Sequence, residues 1–306
     1  MLKFLNNYLK NYLNKKLLMI GSSHLTQMRI KYQKITNLRD VEYKIFSQNG
    51  EDGIIDYILY CLNINKPKFV EIGVGDYSEA NTRFLFETRS PKGLIADCEK
   101  NLTQKVSKKI KLWRGDLAIE EIFINTENIM DLLKRNNFES DIDLFSLDID
   151  GIDYWILDKL PKNFSKIVIL EFNPTFGPEL NITVPNLPNF NRSNYHFSNL
   201  CFGMSLTAAI NLMESKNFYF LGTNLFRNNA FFISMDYPKN NFFKNLNIEN
   251  VRSVSDSNFR ESRDKDGNLS YLSGTNKIKK IQDCEVIDLN RQIDQKVKIK
   301  DLIKFL

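Results

Sequence analysis

The segment SLDIDG (146–151) sets Asp148 and Asp150 two residues apart at the end of an apolar run, and LEFNP (170–174) spaces Glu171 and Asn173 in the same way. Residues two apart on a strand point to the same side, so these four oxygen-bearing side chains are expected to converge at one sheet edge. Hard oxygen donors suit Mg²⁺, and a cation held there would bind a diol and lower the pKa of its hydroxyl. The competing reading leaves Asp148 facing a bound cofactor and Asp150 capping a helix that begins near Ile152. His196, in a long loop, is a candidate base because imidazole titrates near neutral pH. His24 carries no such expectation.

A second set of residues has the chemistry of nucleoside binding. VEIGVGDYSEANT (70–82) reads as a strand end followed by a glycine-rich turn, with Glu71 on the strand and Gly73 and Gly75 in the turn. Glycines there permit positive φ and close backbone approach, and the next helix offers its N-terminus to a ligand. Ser78 stands where a dinucleotide fingerprint would have its third glycine. Asp97 ends the next apolar run, where an acid accepts from both hydroxyls of a ribose, with Glu99 as the alternative if that strand ends later. Asp116, in RGDL, is expected at the end of a third run, placed to accept from an exocyclic amine. In SQNGEDG (47–53), Gln48, Glu51 and Asp52 read either as a helix cap with an acidic first turn or as ligand contacts.

These residues need a scaffold, and the hydrophobic pattern supplies one. Unbroken apolar runs at 68–73, 93–97, 109–116, 143–151 and 166–172 read as strands. Helices are expected between them at 78–87, 118–136 and 152–160, the last stopped by Pro161. Continuous apolar strands joined by helices mean a parallel sheet covered on both faces, and ligands bind such sheets at the carboxyl edge. The Pro- and Asn-rich stretch 174–203 is long enough to be a functional loop. A helix capped by Ser205 follows, and the strands 217–223 and 229–235 close the pattern as a hairpin.

Composition narrows the function classes. The 306 residues are 42% hydrophobic, which excludes wholesale disorder, and no run approaches the roughly 20 apolar residues of a membrane span. Cys61, Cys98, Cys201 and Cys284 are far apart in sequence and form no CxxC pair, against a zinc ribbon and in keeping with a reducing, cytoplasmic compartment. Two histidines exclude multi-histidine metal chemistry. Of the net charge of +5, residues 1–46 hold nine basic and two acidic side chains, so the arm carries +7 and the rest −2. A near-neutral body argues against nucleic-acid binding. Residues 2–20 place Leu2, Leu5, Leu9, Tyr12 and Leu13 at helical spacing beside four lysines and no acid. This amphipathic helix is expected to dock on protein, either its own domain or a second subunit, or on an anionic membrane surface.

Taken together, SQNGEDGII (47–55), FVEIGVGDYSEANT (69–82), KGLIADCEKN (92–101), FSLDIDGIDYWIL (145–157), ILEFNP (169–174), SLTAAINLMESKNFYFLGTN (205–224) and NAFFIS (229–234) resemble a class I S-adenosylmethionine-dependent methyltransferase, and more narrowly the FkbM-type group. The resemblance covers 47–235. It implies a Rossmann-like class I methyltransferase sheet, mostly parallel, with helices on both faces and a C-terminal antiparallel β-hairpin. It implies that Glu71, Gly73 and Gly75 line the methionine end of the cofactor, that Asp97 binds the ribose and Asp116 the adenine, and that Asp148 and His196 serve catalysis. Similarity to sugar O-methyltransferases implies Mg²⁺ at Asp148, Asp150 and Glu171. The expected domains are a basic helical arm at 1–46, a methyltransferase-like domain at 47–240 with its substrate loop at 174–203, and an extension at 241–306. The expected activity is O-methylation of a saccharide hydroxyl in surface polysaccharide or glycan synthesis, in the cytoplasm or at the inner face of the membrane. Two alternatives stay open: a nucleotide-sugar glycosyltransferase with Asp148 and Asp150 as a DxD motif, or a non-catalytic binding module of the same fold.

Overall fold

A computed structural model describes residues 2–237, Phe243, Leu246, 261–291 and 295–303. The expected boundary at 240–241 lies outside the described residues. Seven strands form one sheet: β1 (Lys68–Ile72), β2 (Lys92–Asp97), β3 (Asp116–Glu121), β4 (Ile142–Leu147), β5 (Ser165–Glu171), β7 (Phe218–Thr223) and β8 (Asn229–Ser234). β6 (Ile182–Thr183) lies elsewhere. The order is β3-β2-β1-β4-β5-β8-β7. β1–β5 are parallel, and β8 runs antiparallel between β5 and β7. This is the mostly parallel, Rossmann-like sheet with a terminal hairpin that the sequence pattern implies.

The strands are apolar throughout because both faces are covered. Val70, Ile72, Phe145, Leu147, Val168 and Leu170 point into one core with α5 (Ile129–Arg135), α6 (Asp153–Lys159) and α8 (Leu206–Ser215). Their neighbours Phe69, Leu144, Ile167 and Ile169 point into the other, with α2 (Glu51–Cys61), α3 (Arg83–Arg89) and α4 (Leu102–Ser107). The period-two alternation thus splits one apolar run between two cores. α8 starts where expected, with the Ser205 hydroxyl accepting from the N–H of Ala208.

Three boundaries differ from the sequence expectation. The third strand is 116–121 rather than 109–116, the tract before it forming a short 3-10 turn at Leu112–Arg114 with Trp113 exposed. As an edge strand β3 is only half-buried, so it lacks the strong apolar run of its neighbours. Ile119, Ile122 and Phe123 then imitate helical spacing, and the real helix is only α5. Asp116 consequently begins β3 instead of ending it: it pairs with Lys92, whereas Asp97 pairs with Glu121. At about 3.3 Å per residue this puts Asp116 roughly 16 Å from the carboxyl edge. α3 begins at Arg83 rather than Ser78, leaving 73–82 as loop.

Both chain ends are part of the body. α1 (Leu2–Arg29) leads into Tyr32, Ile35, Leu38 and Val41, all buried in the second core, while Phe46 packs with Leu25 of α1 and Phe84 of α3. At the other end β9 (Glu285–Asp288) and β10 (Lys296–Lys298) join β6 in a three-stranded antiparallel sheet, pairing the C-terminal segment with the loop after β5. This sheet also brings the buried thiols of Cys201 and Cys284, distant in sequence, into a shared hydrogen bond.

Asp56 on α2 holds α1, α2 and α3 together. Its buried carboxylate accepts from Arg29 at 2.8 and 3.1 Å, from the Tyr32 hydroxyl at 2.9 Å and from Arg89. Removing it leaves the half-buried guanidinium groups of Arg29 and Arg89 and the buried Tyr32 phenol without this acceptor. Asp56→Ala should lose about 3 kcal/mol of stability, read as a lower urea midpoint with an unchanged slope. A midpoint within error of the wild type would show that the other contacts of α1 hold it in place.

Candidate active site

The carboxyl edge of the sheet opens into a cavity of about 420 Å³. Its walls are the loop 72–76 after β1, Ala96–Cys98 at the end of β2, Ile122–Ile124 after β3 and Asp148–Ile152 after β4, with Gln48, Ser78, Glu79 and Phe190 around the rim. Parallel strands put these ends together. Gly73 makes the junction possible, because its φ is +88° and a Cβ there would lie 1.5 Å from the carbonyl oxygen of Asp148. Gly75, at φ +52°, has nothing within 4 Å of an added Cβ, so the backbone faces open space.

Asp97 is the best-prepared acceptor. One carboxylate oxygen takes the N–H of Gly75 at 2.7 Å and the other the N–H of Glu99 at 2.8 Å. A carboxylate has about four lone-pair sites; the two N–H groups and the Cys98 side chain engage three, so some acceptor capacity remains. Burial pushes its pKa up, opposed by those two backbone bonds. Glu99 is paired with Lys105 and is not part of the wall.

Glu71 is not in the cavity wall, contrary to the expectation from the resemblance. It is buried and turned the other way, accepting from the N–H of Asn81 at 2.8 Å, the N–H of Thr82 at 3.0 Å and the Thr82 hydroxyl. It therefore shapes the loop 73–82 rather than touching what the loop would bind. Burial pushes its carboxyl up to about 7 against those bonds. Asp116 is likewise absent from the wall, for the topological reason given above. The position expected to meet an acid is filled by Ile122, Phe123 and Ile124, whose apolar surface suits the faces of a planar ring.

Across the cavity, Asp148, Asp150 and Glu171 bring carboxylate oxygens within 4.8 Å of one another. Asp148 and Asp150 open to the cavity, and Glu171 lies behind them. Burial first, then the charges of the neighbouring carboxylates, raises Asp148 and Glu171 well above ordinary carboxylates. Asp150 sits at φ +52° and receives Arg192 Nη1 at 2.6 Å. Arg192, on the one-turn α7 (Arg192–Tyr195), also pairs with Glu261 at 3.3 Å. Nothing in the sequence pattern singles out Arg192, because its partners Asp150 and Glu261 come from two distant parts of the chain.

Several expected roles fall away. Asn173 faces away from the cluster, donating to the carbonyls of Leu200 and Phe202 and accepting from the N–H of Thr175, so three side chains converge and not four. Asp150 does not cap α6. Asp153 organises that turn by accepting from the N–H groups of Ile149 and Gly151 at 3.0 and 2.9 Å. His196 is outside the cavity wall, its Nδ1 2.7 Å from the Ser198 hydroxyl and its ring against Phe197, and burial lowers its pKa. Glu51 and Asp52 hold the fold: Glu51 takes the side-chain amides of Asn224 and Asn229, and Asp52 takes the N–H groups of Ile45, Phe46 and Ser47. Of that motif Gln48 alone reaches the cavity.

The buried carboxyls of Glu71, pushed up to about 7, and of Asp52, pushed up to about 6, make stability fall as pH rises, because the unfolded chain ionises them more easily. For Glu71 the window runs from the ordinary 4.5 to about 7. Relative to Glu71→Gln, whose amide cannot ionise, the wild type should lose about 3 kcal/mol across that window and level off above it. Urea unfolding of both proteins at a series of pH values checks this, and a constant difference would contradict it.

No family model matches the chain, and no curated relative matches it either. Among solved structures it is similar to the pyocyanin biosynthetic protein PhzM, with 14% identity over 57% of this chain and 52% of that one and a TM-score of 0.34. It is also similar to an O-methyltransferase family protein from Burkholderia thailandensis, with 9% identity over 60% and 57% and a TM-score of 0.34. A third is an S-adenosylmethionine-dependent methyltransferase from Clostridium acetobutylicum ATCC 824, with 9% identity over 58% and 88% and a TM-score of 0.36. The chain thus spans little more than half the length of the first two.

Proposed function

We propose that the chain is an S-adenosylmethionine-dependent methyltransferase that methylates a hydroxyl, in a saccharide substrate. The observation that carries the cofactor assignment is Asp97. It stands at the end of the second strand, fixed by the Gly75 N–H, with acceptor capacity left for a ribose diol, beside an apolar wall of Ile122–Ile124 for the adenine. Asp148 and the backbone of Gly73–Gly75 face the remaining part of the cavity, where the methionine end belongs. When bound, the cofactor supplies a sulfonium methyl as the electrophile.

The chain's own part is positioning and proton management. A sugar hydroxyl held against Asp148 has a carboxylate within reach to take its proton. Phe190 brings the 174–203 loop to the rim of the cavity, and Arg192 ties that loop to Asp150. Asp148, Asp150 and Glu171 are also hard-oxygen donors at a spacing that fits Mg²⁺, which would orient a diol and acidify its hydroxyl. The saccharide substrate rests on the resemblance and on this diol-compatible cluster.

Calorimetry with S-adenosylmethionine, NAD and a UDP-sugar separates the classes, and binding of the first alone is expected. Asp97→Ala should weaken it by about 1.5–3 kcal/mol, roughly ten- to over a hundredfold. Unchanged affinity would remove Asp97 from the site, and UDP-sugar binding would favour the glycosyltransferase reading. For the cation, Mg²⁺ should raise the melting temperature of the wild type and leave that of Asp148→Asn unmoved. Equal shifts in both would take the cation away from this cluster.

A further inference from the structure

We propose that the outward face of α1 docks on an anionic lipid surface. The helix has two sides with different fates. Its inner side is packed: Gly21 sits so close to Ile45 that an added Cβ would lie 2.7 Å from that side chain, Leu25 is buried with Phe46 and Phe84, and Arg29 is tied to Asp56. The outer side carries Leu5, Leu9, Tyr12, Leu13, Met19 and Ile20, each 48–64% exposed. Their spacing puts them in one stripe, about 22 Å long at 1.5 Å per residue, turned away from the sheet domain. Docking on the chain's own domain is therefore already accounted for by the other side.

Charge chooses between the remaining occupants. Lys3, Lys10, Lys15 and Lys16 lie on or beside the stripe's segment of sequence, and no acid occurs before Asp40. A second copy of this helix would bring lysine towards lysine with no carboxylate to pair them. A layer of anionic headgroups supplies the missing counter-charge. Lys16 falls within the stripe itself, its ammonium 5.5 Å from the Tyr12 ring centroid, and a long stem of this kind lies along apolar surface while its head reaches the headgroups. Among the described residues no helix is long and apolar enough to cross a membrane, so the geometry is that of a helix lying in the interface plane.

The test is co-sedimentation of the full chain with phosphatidylcholine vesicles, with and without phosphatidylglycerol. Sedimentation with the anionic vesicles alone is expected, weakening as salt is raised. Leu9→Ser with Leu13→Ser should reduce it more than about tenfold, since each leucine loses its buried area in the lipid. Lys15→Glu with Lys16→Glu should reduce it by at least about tenfold, each lysine near such a surface being worth about fivefold. Both pairs of positions are exposed, so the melting temperature should stay at the wild-type value and confirm folding. Failure of the wild type to sediment with anionic vesicles, or equal sedimentation of the wild type and the leucine variant, would overturn the proposal. So would a dimer in light scattering that the leucine variant abolishes while the vesicles stay unbound, since a second copy would then cover the stripe.

Discussion

Everything at the carboxyl edge depends on how closely β1 and β4 can meet there. Their meeting point is Gly73 against the carbonyl of Asp148, a contact with no room for a single additional carbon. With that backbone contact made, the two chains diverge at once, one into the loop 73–82 and the other into the turn 149–152. The cavity is the space between them. The same contact explains why Asp97 can reach back to Gly75, since the loop leaves β1 tilted over the end of β2. An alanine at 73 would push these ends apart and displace both walls.

The acids around this edge sort by whether they open to the cavity rather than by position in a motif. Glu71, Asp52 and Asp153 each accept from two or more backbone N–H groups of a loop, and burial raises all three. A carboxylate in that state is a tie for a loop that has no secondary structure of its own. Asp97, Asp148 and Asp150 differ because they open to the cavity and keep acceptor capacity there. Opening to the cavity thus separates acids that can meet a ligand from acids that only tie loops, and Asp97, which also accepts from two backbone N–H groups, does both.

This distinction marks how far the sequence could be read. β1, β2, β4 and β5 were legible because a strand covered on both faces must be apolar throughout, and the hairpin because Phe- and Ile-rich runs flank a short Asn-rich turn. Gly73, Gly75, Asp97 and Asp148 followed, since the end of a parallel strand locates its residues at one edge. β3 was misread because an edge strand carries no such obligation, and the error moved Asp116 to the wrong end of the sheet. Glu71 and Asn173 were placed on the right elements with the wrong orientation, because strand parity does not determine which loop a side chain will satisfy. The β6–β9–β10 sheet, the Cys201–Cys284 contact and Arg192 depend on contacts between distant segments, and no local pattern encodes those.

Arg192 shows why such contacts matter to the chemistry. Three carboxylates at one point repel each other, and the guanidinium of Arg192 offsets part of that repulsion at Asp150. It arrives on the 174–203 loop, which has little regular structure to fix it. That loop is held near its start by β6 pairing with β9, by the bridge from Thr183 to Met204, and at its far end by the Gly203 N–H on the Gly151 carbonyl. On its other side Arg192 pairs with Glu261, from the C-terminal part of the chain. The C-terminal segment is therefore electrostatically part of the site, because it fixes the loop that places the cation beside Asp150. A ligand or cation that drew Asp150 away would leave Arg192 with Glu261 as its remaining carboxylate partner, so the charge balance of the cavity and the seating of its loop are one equilibrium.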